Sequence, residues 1–231
     1  MADLGLLEQL RREPDVEAPD LVAVDATDRL LLDEAAELLA ATGPGEVAVV
    51  DDSYGALTLG AVAAGARDVR VHQDLLVGEL ALARNAERTG LTGSHRSLPL
   101  GPGLADGVRL VLAKAPKSLD ALRELTEVVA ASAAPDVTLL VGGRVKHMTH
   151  AMNDVLGAVQ GDRAQGQRPV AVVDDGDLAR PGQREGGGRL VEQQPVGRVD
   201  GDQLRRLHVR SPTEEGEQIG AGHGHHSPPW P

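Results

Sequence analysis

The chain has 231 residues, no cysteine and a net charge of −12 with histidine neutral. Without cysteine there is no disulfide framework, thiolate metal site or thiol nucleophile. The acidic balance opposes sequence-independent binding to a polyanion, although it leaves room for a local basic patch. Hydrophobic residues make up 41% of the chain, with no Phe, one Tyr and one Trp. The core is therefore expected to consist of Ala, Val and Leu, with few large anchors. No apolar run approaches the roughly 20 residues of a membrane span. Met1-Ala2-Asp3-Leu4 lacks the basic region and apolar core of a signal peptide, so a cytoplasmic location is expected.

Apolar residues at 4, 6, 7 and 10 predict a short amphipathic helix within Asp3–Arg12, interrupted between Pro14 and Pro19. Leu21–Val24 reads as a short strand. Thr27 or Asp28 is placed to cap a helix running to Ala41, which Thr42-Gly43-Pro44-Gly45 ends. A strand over Glu46–Val50 leads into Asp51-Asp52-Ser53-Tyr54-Gly55 and a helix from about Ala56 to Ala64. Val69–His72 is the next strand, with Asp74 just past its end, and Glu79–Glu87 is a helix stopped by Gly90. Leu98–Leu104 reads as a Pro/Gly loop. Val108–Ala113 is an apolar strand leading into Lys114-Ala115-Pro116-Lys117. Ser118 caps a helix over Leu119–Ala133, Asp136–Val141 is a strand ended by Gly142-Gly143, and Met148–Val159 is a further helix.

Short, continuously apolar strands alternating with helices of 10–15 residues predict a parallel sheet covered on both faces. Right-handed crossovers make this a Rossmann-like, doubly wound α/β fold with a mostly parallel sheet. Three segments follow: a helical N-terminus over 1–19, the Rossmann-like domain over 20–160, and a low-complexity, largely irregular tail over 161–231. In the tail Val170–Val173 is a strand candidate able to pair at a sheet edge. The Gly, Pro and His tracts show little usable periodicity.

The turn after Val50 has the strand–turn–helix layout of a nucleotide site. Such turns normally carry several glycines, so that backbone N–H groups approach the ligand closely. Here only Gly55 remains, and Tyr54 stands where bare backbone is wanted. Asp51, Asp52 and Gly55 form either a cofactor site or a relic turn with a solvated Asp pair. Asp74 either holds ribose hydroxyls or caps a helix. His147 with His150, and the tail histidines 223, 225 and 226, lack the further ligands and orienting partners of a specific metal site, so none is assigned.

Several stretches resemble one family. Asp25-Ala26-Thr27-Asp28-Arg29-Leu30-Leu31 is similar to the opening of the N-terminal domain of the ribosomal RNA guanine-N2 methyltransferases. Val49–Leu57 resembles that domain's degenerate ligand loop. Asp74, Gly78-Glu79-Leu80-Ala81 and Asn85 resemble its next strand–helix unit, and Lys114-Ala115-Pro116-Lys117 its Lys-x-Pro-Lys strand end. The resemblance covers roughly residues 20–160. It implies a duplicated, largely non-catalytic copy of a methyltransferase domain that serves RNA recognition and folding. The second, catalytic copy would bind S-adenosylmethionine and carry Asn-Pro-Pro-aromatic. This chain contains no Asn-Pro-Pro, and residues 161–231 do not resemble the start of a second domain. A frameshifted or truncated reading frame would account for that.

The resemblance implies S-adenosylmethionine as the cofactor, with Asp51, Gly55 and Asp74 as its contacts if this chain holds it. It assigns no catalytic residue. At the strand end where active relatives place Asn-Pro-Pro, Lys114 offers donors only and cannot accept a hydrogen bond from the amine to be methylated. Lys114, Lys117, Arg144 and Lys146 are the candidate contacts to ribosomal RNA phosphates, with His147 beside them, against the alternative of ordinary surface cations. All three lysines of the chain lie between positions 114 and 146. The expected partners are ribosomal RNA and a catalytic methyltransferase domain, with no membrane. The alternative is an active S-adenosylmethionine-dependent methyltransferase.

Overall fold

The computed structural model describes residues 4–144, 149–161 and 171–174. A 3-10 turn, Leu4–Gln9, precedes α1 (Ala26–Ala41), β1 (Val47–Val50), α2 (Ala56–Ala63), β2 (Val69–His72), α3 (Leu76–Arg88) and β3 (His95–Ser97). A short α4 (Pro102–Ala105), β4 (Leu110–Lys114), α5 (Leu119–Ser132), β5 (Thr138–Gly143), α6 (His150–Gly161) and β6 (Ala171–Asp174) follow. The strands form one sheet in the order β3-β2-β1-β4-β5-β6, and each of its strand pairings is parallel. This is the predicted Rossmann-like arrangement.

The period of two along β1 divides the core between the two faces. Val47 and Val49 pack with Leu31, Leu57, Leu82 and Leu112 under α1, α2 and α3. Ala48 and Val50 pack with Leu122, Leu125, Leu139 and Leu156 under α5 and α6. Both faces are thus covered, and the apolar runs of β1, β4 and β5 are buried, as a parallel sheet requires. Among the described residues no helix is long and apolar enough to cross a membrane.

The local expectations differ from the structure at several points, each for a physical reason. Leu21–Val24 forms no strand: Leu21 and Val22 lie exposed, so the apolar run is not buried against the sheet. The strand His95–Ser97 carries no apolar run, because an edge strand with exposed side chains needs none. The predicted N-terminal helix is a 3-10 turn, and its Leu7, with Leu10 just beyond it, joins the same core as α1 and α2. The cap of α1 is Asp25, in a capping box with Asp28. Pro102 starts a helical turn inside the expected loop. Beyond residue 160, β6 extends the sheet next to β5, at the edge position foreseen for Val170–Val173.

Register sets the site. Val50 lies opposite His72 of β2 and Ala113 of β4, so the carboxyl ends of the three strands are level. The chain winds outward from β1 to β3 on one side, then returns to the other side of β1 as β4. The residues following these strands therefore meet at the topological switch point, where open α/β sheets form their ligand crevice.

Candidate functional site

A cleft of about 260 Å³ opens at that switch point, lined by Val50, Asp51, His72, Asp74, Leu100, Pro116, Ala121, Glu124 and Leu125. Asp51 and Asp74, two of the residues singled out from the sequence, therefore share one cleft. Its polar lining is dominated by carboxylates, which favours a cationic or donor-rich occupant over an anion. His72 links the walls: Nδ1 is 3.1 Å from the Leu98 carbonyl oxygen, and Nε2 is 3.1 Å from Asp74 Oδ1. Burial, and then the Asp74 charge, push the Asp51 carboxyl above the usual aspartate range, while His72 opposes them.

The β1–α2 loop turns away from this cleft immediately after Asp51. Asp52 is fully buried. Its two carboxylate oxygens accept hydrogen bonds from the amides of Leu57 and Thr58, each at 2.8 Å. These are first-turn N–H groups of α2, the groups that a helix terminus would otherwise present to an anionic ligand. The protein's own carboxylate holds that position. Burial raises the Asp52 pKa, and the Thr58 and Leu57 hydrogen bonds oppose the rise. Gly55 is required by packing: its φ is +93°, and a Cβ there would lie 2.8 Å from Leu82 Cδ1 of α3. It faces the interior between α2 and α3. Tyr54 points to the N-terminal segment, and its hydroxyl donates to Asp15 Oδ2 at 2.5 Å.

Lys114 ends β4 but does not project freely into solvent. Its Nζ lies 2.7 Å from Asp28 Oδ1 and 3.2 Å from Asp25 Oδ2, and its side chain is only 18% exposed. Burial opposes the ammonium charge, but Asp28 and Asp25 together outweigh it and hold the Lys114 pKa above the ordinary lysine value. Burial pushes Asp28 upward, Lys114 opposes, and the neighbouring Asp25 and Asp52 charges add to the rise, leaving it at about 7. Burial raises Asp25, but Lys114 and the hydrogen bonds with Asp28 together outweigh it and hold the Asp25 pKa below the usual aspartate value. The cation sequence analysis offered to RNA is thus the counter-ion of an internal cluster that ties the start of α1 to the end of β4.

Lys117 and Arg144, in contrast, are exposed after the carboxyl ends of β4 and β5, and among the described residues neither has an ion-pair partner. Lys146 and His147 lie outside the described residues, and His150 is exposed at the start of α6. Sequence reasoning missed the network behind these residues. The Asp25-x-x-Asp28 spacing was an available signal for a capping box. Nothing local signalled the pairing of Asp15 with Tyr54, 39 positions apart.

A family model described as the RLMG N-terminal domain matches residues 5–167, most of the chain. The chain belongs to this family. The RLMG domain here is 34% identical over 148 residues to a Pseudomonas fluorescens protein named ribosomal RNA large subunit methyltransferase G, covering 64% of this chain and 39% of the relative. A Pseudomonas putida protein of the same name is 33% identical over 191 residues, covering 78% of this chain and 48% of its own length. The chain therefore spans about two fifths to a half of the curated relatives it matches. Among solved structures, a Streptococcus mutans protein proposed to be a SAM-dependent methyltransferase is similar at a TM-score of 0.49 and 10% identity, over 65% of this chain and 44% of that one. The RLMG match begins ahead of α1 and ends before β6, so it includes the segment that carries Asp15 as well as β1 to β5.

Proposed function

We propose that this RLMG domain serves a ribosomal RNA methyltransferase as a binding module, contacting RNA or a partner methyltransferase domain, and does not itself transfer the methyl group. The observation that carries this reading is Asp52, whose carboxylate takes the α2 amides that a ligand of the loop would need. The end of β4 supports it, because Lys114 offers only donors there, and two carboxylates already engage them. RNA contact falls to Lys117 and Arg144, exposed after neighbouring strands, with Lys146 next along the chain. Lys114 acts behind them as a buried counter-ion. The large-subunit RNA named for the relatives is the proposed target.

A second reading keeps S-adenosylmethionine in the switch-point cleft. It is favoured by one observation, the shared lining by Asp51 and Asp74. Their carboxylates fit the cofactor's ammonium and ribose hydroxyl donors, whereas Gly55, packed on Leu82, takes no direct part. When bound, the cofactor supplies an electrophilic methyl group. Calorimetric titration of the folded chain with S-adenosylmethionine and S-adenosylhomocysteine separates the two readings. No binding heat at high protein concentration is expected for the binding module. Micromolar binding that disappears in Asp74→Asn would favour the second reading instead.

A further inference from the structure

The loop between β1 and α2 has a conformation that its own sequence does not favour. Asp51 and Ser53 have φ of 59° and 61°, in the left-handed region that non-glycine residues adopt infrequently, Asp more readily than Ser. In a nucleotide-binding site of this fold, glycines serve the tight turn. Here neither the loop's single glycine nor its amides are available for it, since Gly55 serves helix packing and Asp52 closes the helix terminus. Besides the Asp52 anchor, a second restraint on the loop comes from elsewhere in the chain.

Residues 10–17 supply it. Asn85 of α3 is fully buried and bonds this segment and the loop together. Its Nδ2 donates to the carbonyls of Arg11 and Tyr54, each at 2.8 Å, and its Oδ1 accepts from the Arg11 amide at 2.9 Å and from Arg88. Tyr54 is gripped from the other side. Its hydroxyl donates to Asp15, and the Arg12 guanidinium sits 4.7 Å from its ring centroid. Arg12 also pairs with Asp15 at 2.9 Å and donates to the Val16 carbonyl, so the two groups holding Tyr54 are fixed to each other. Glu13 fastens the same stretch to α3 through Arg84 at 3.1 Å and Arg88 at 3.4 Å. Every side-chain donor and acceptor of Asn85 is engaged, as a buried amide requires.

We infer that residues 10–17 are a strap that imposes the strained conformation of the β1–α2 loop and thereby positions Asp51 in the switch-point cleft. The strap, closed through Tyr54 and Asn85, takes over the shaping role that glycines have in related sites. Tyr54 and Asn85 are positioning residues, and the bulky side chain in a loop that normally wants bare backbone is the joint of this device. Release of the strap lets the loop relax and carries Asp51 out of the cleft wall. This goes beyond the proposed function and needs neither RNA nor cofactor to be tested.

The test is hydrogen exchange on the full chain, with Tyr54→Phe and Arg12→Ala as mild variants and Asn85→Ala as the severe one. In the mild variants amide exchange across residues 51–58 is expected to rise by about tenfold or more, the scale of one charge-assisted hydrogen bond. Exchange across β4 stays at the wild-type rate. The Asp51 side-chain carboxyl resonance, a cleft reporter that a purely structural tether on α3 would leave in place, shifts in the same variants. Unchanged exchange at 51–58 in both mild variants overturns the inference, as does an increase spread evenly over the sheet with the Asp51 resonance unmoved. If Asn85→Ala fails to fold, the two mild variants decide the matter alone.

Discussion

Lys114 Nζ sits 2.7 Å from a carboxylate oxygen of Asp28, a side chain with no more than 1% of its surface exposed. The two residues are 86 positions apart, so the contact joins the first helix to the centre of the sheet. Removing one member of a buried pair leaves the other charge without compensation, at a typical cost of about 3–5 kcal/mol. Lys114→Met is therefore expected to destabilise the fold by that amount near pH 8, measured by urea unfolding. A loss below about 1 kcal/mol, usual for an exposed pair, would show that the cation is not structural.

The same pair predicts a pH dependence. Asp28 is raised from 3.8 to about 7 in the folded protein, so the folded state holds its proton more tightly than the unfolded chain does. Stability contributed by this proton is full below about pH 4 and is lost as pH rises through about 7. Asp25 is shifted the other way, so its contribution is present above its unfolded pKa and is lost as the solution becomes more acidic than that. Asp28→Asn is expected to flatten the decline between pH 4 and 7. Urea midpoints for both proteins across that range would show it, and parallel curves would contradict it.

Asp52 gives a third prediction. Asp52→Ala removes the acceptor of two buried α2 amides, an expected loss of about 1–3 kcal/mol. Asp52→Asn keeps one acceptor oxygen and should recover part of the loss. Thermal unfolding followed by far-UV circular dichroism measures both, and an Asn variant no better than Ala would argue that packing, not capping, dominates.

Gly142 tests how tightly α1 lies on β5. A Cβ there would come within 2.8 Å of Leu31 Cγ and Cδ1 and 2.9 Å of Thr27 Cγ2. Gly142→Ala is expected to cost about 1–3 kcal/mol through overpacking. Because Gly142 is in register with Lys114, the strain falls next to the ion cluster. Its cost should be non-additive with that of Lys114→Met in a double-mutant cycle.

The scaffold was legible because parallel strands buried on both faces write themselves as continuous apolar runs, as Val47–Val50 and Leu110–Ala113 do. The same reading put Asp51 and Asp74 at the carboxyl ends of β1 and β2, which border the switch-point cleft. The edge strand at His95–Ser97 was not legible, because its exposed side chains leave no apolar pattern. Lys114 was misleading as a surface cation. Its burial depends on Asp25 and Asp28 folding over the strand end, a tertiary fact with only a capping-box spacing to hint at it. Tyr54 looked misplaced in a ligand loop until Asp15, Arg12 and Asn85 were seen around it, and those contacts leave no trace in local sequence.

Lys117 and Arg144 are the proposed RNA contacts, while Lys114 serves the fold. The direct measurement is the affinity of the chain for large-subunit ribosomal RNA over a series of salt concentrations, for the wild type and for Lys117→Glu combined with Arg144→Glu. Each lost phosphate contact reduces the slope of log K against log salt by about 0.7–0.9. Weaker binding and a slope shallower by about 1–2 are expected in the double variant, with the unfolding midpoint unchanged. Affinity and slope equal to wild type would contradict the proposal and remove these two cations from the interface.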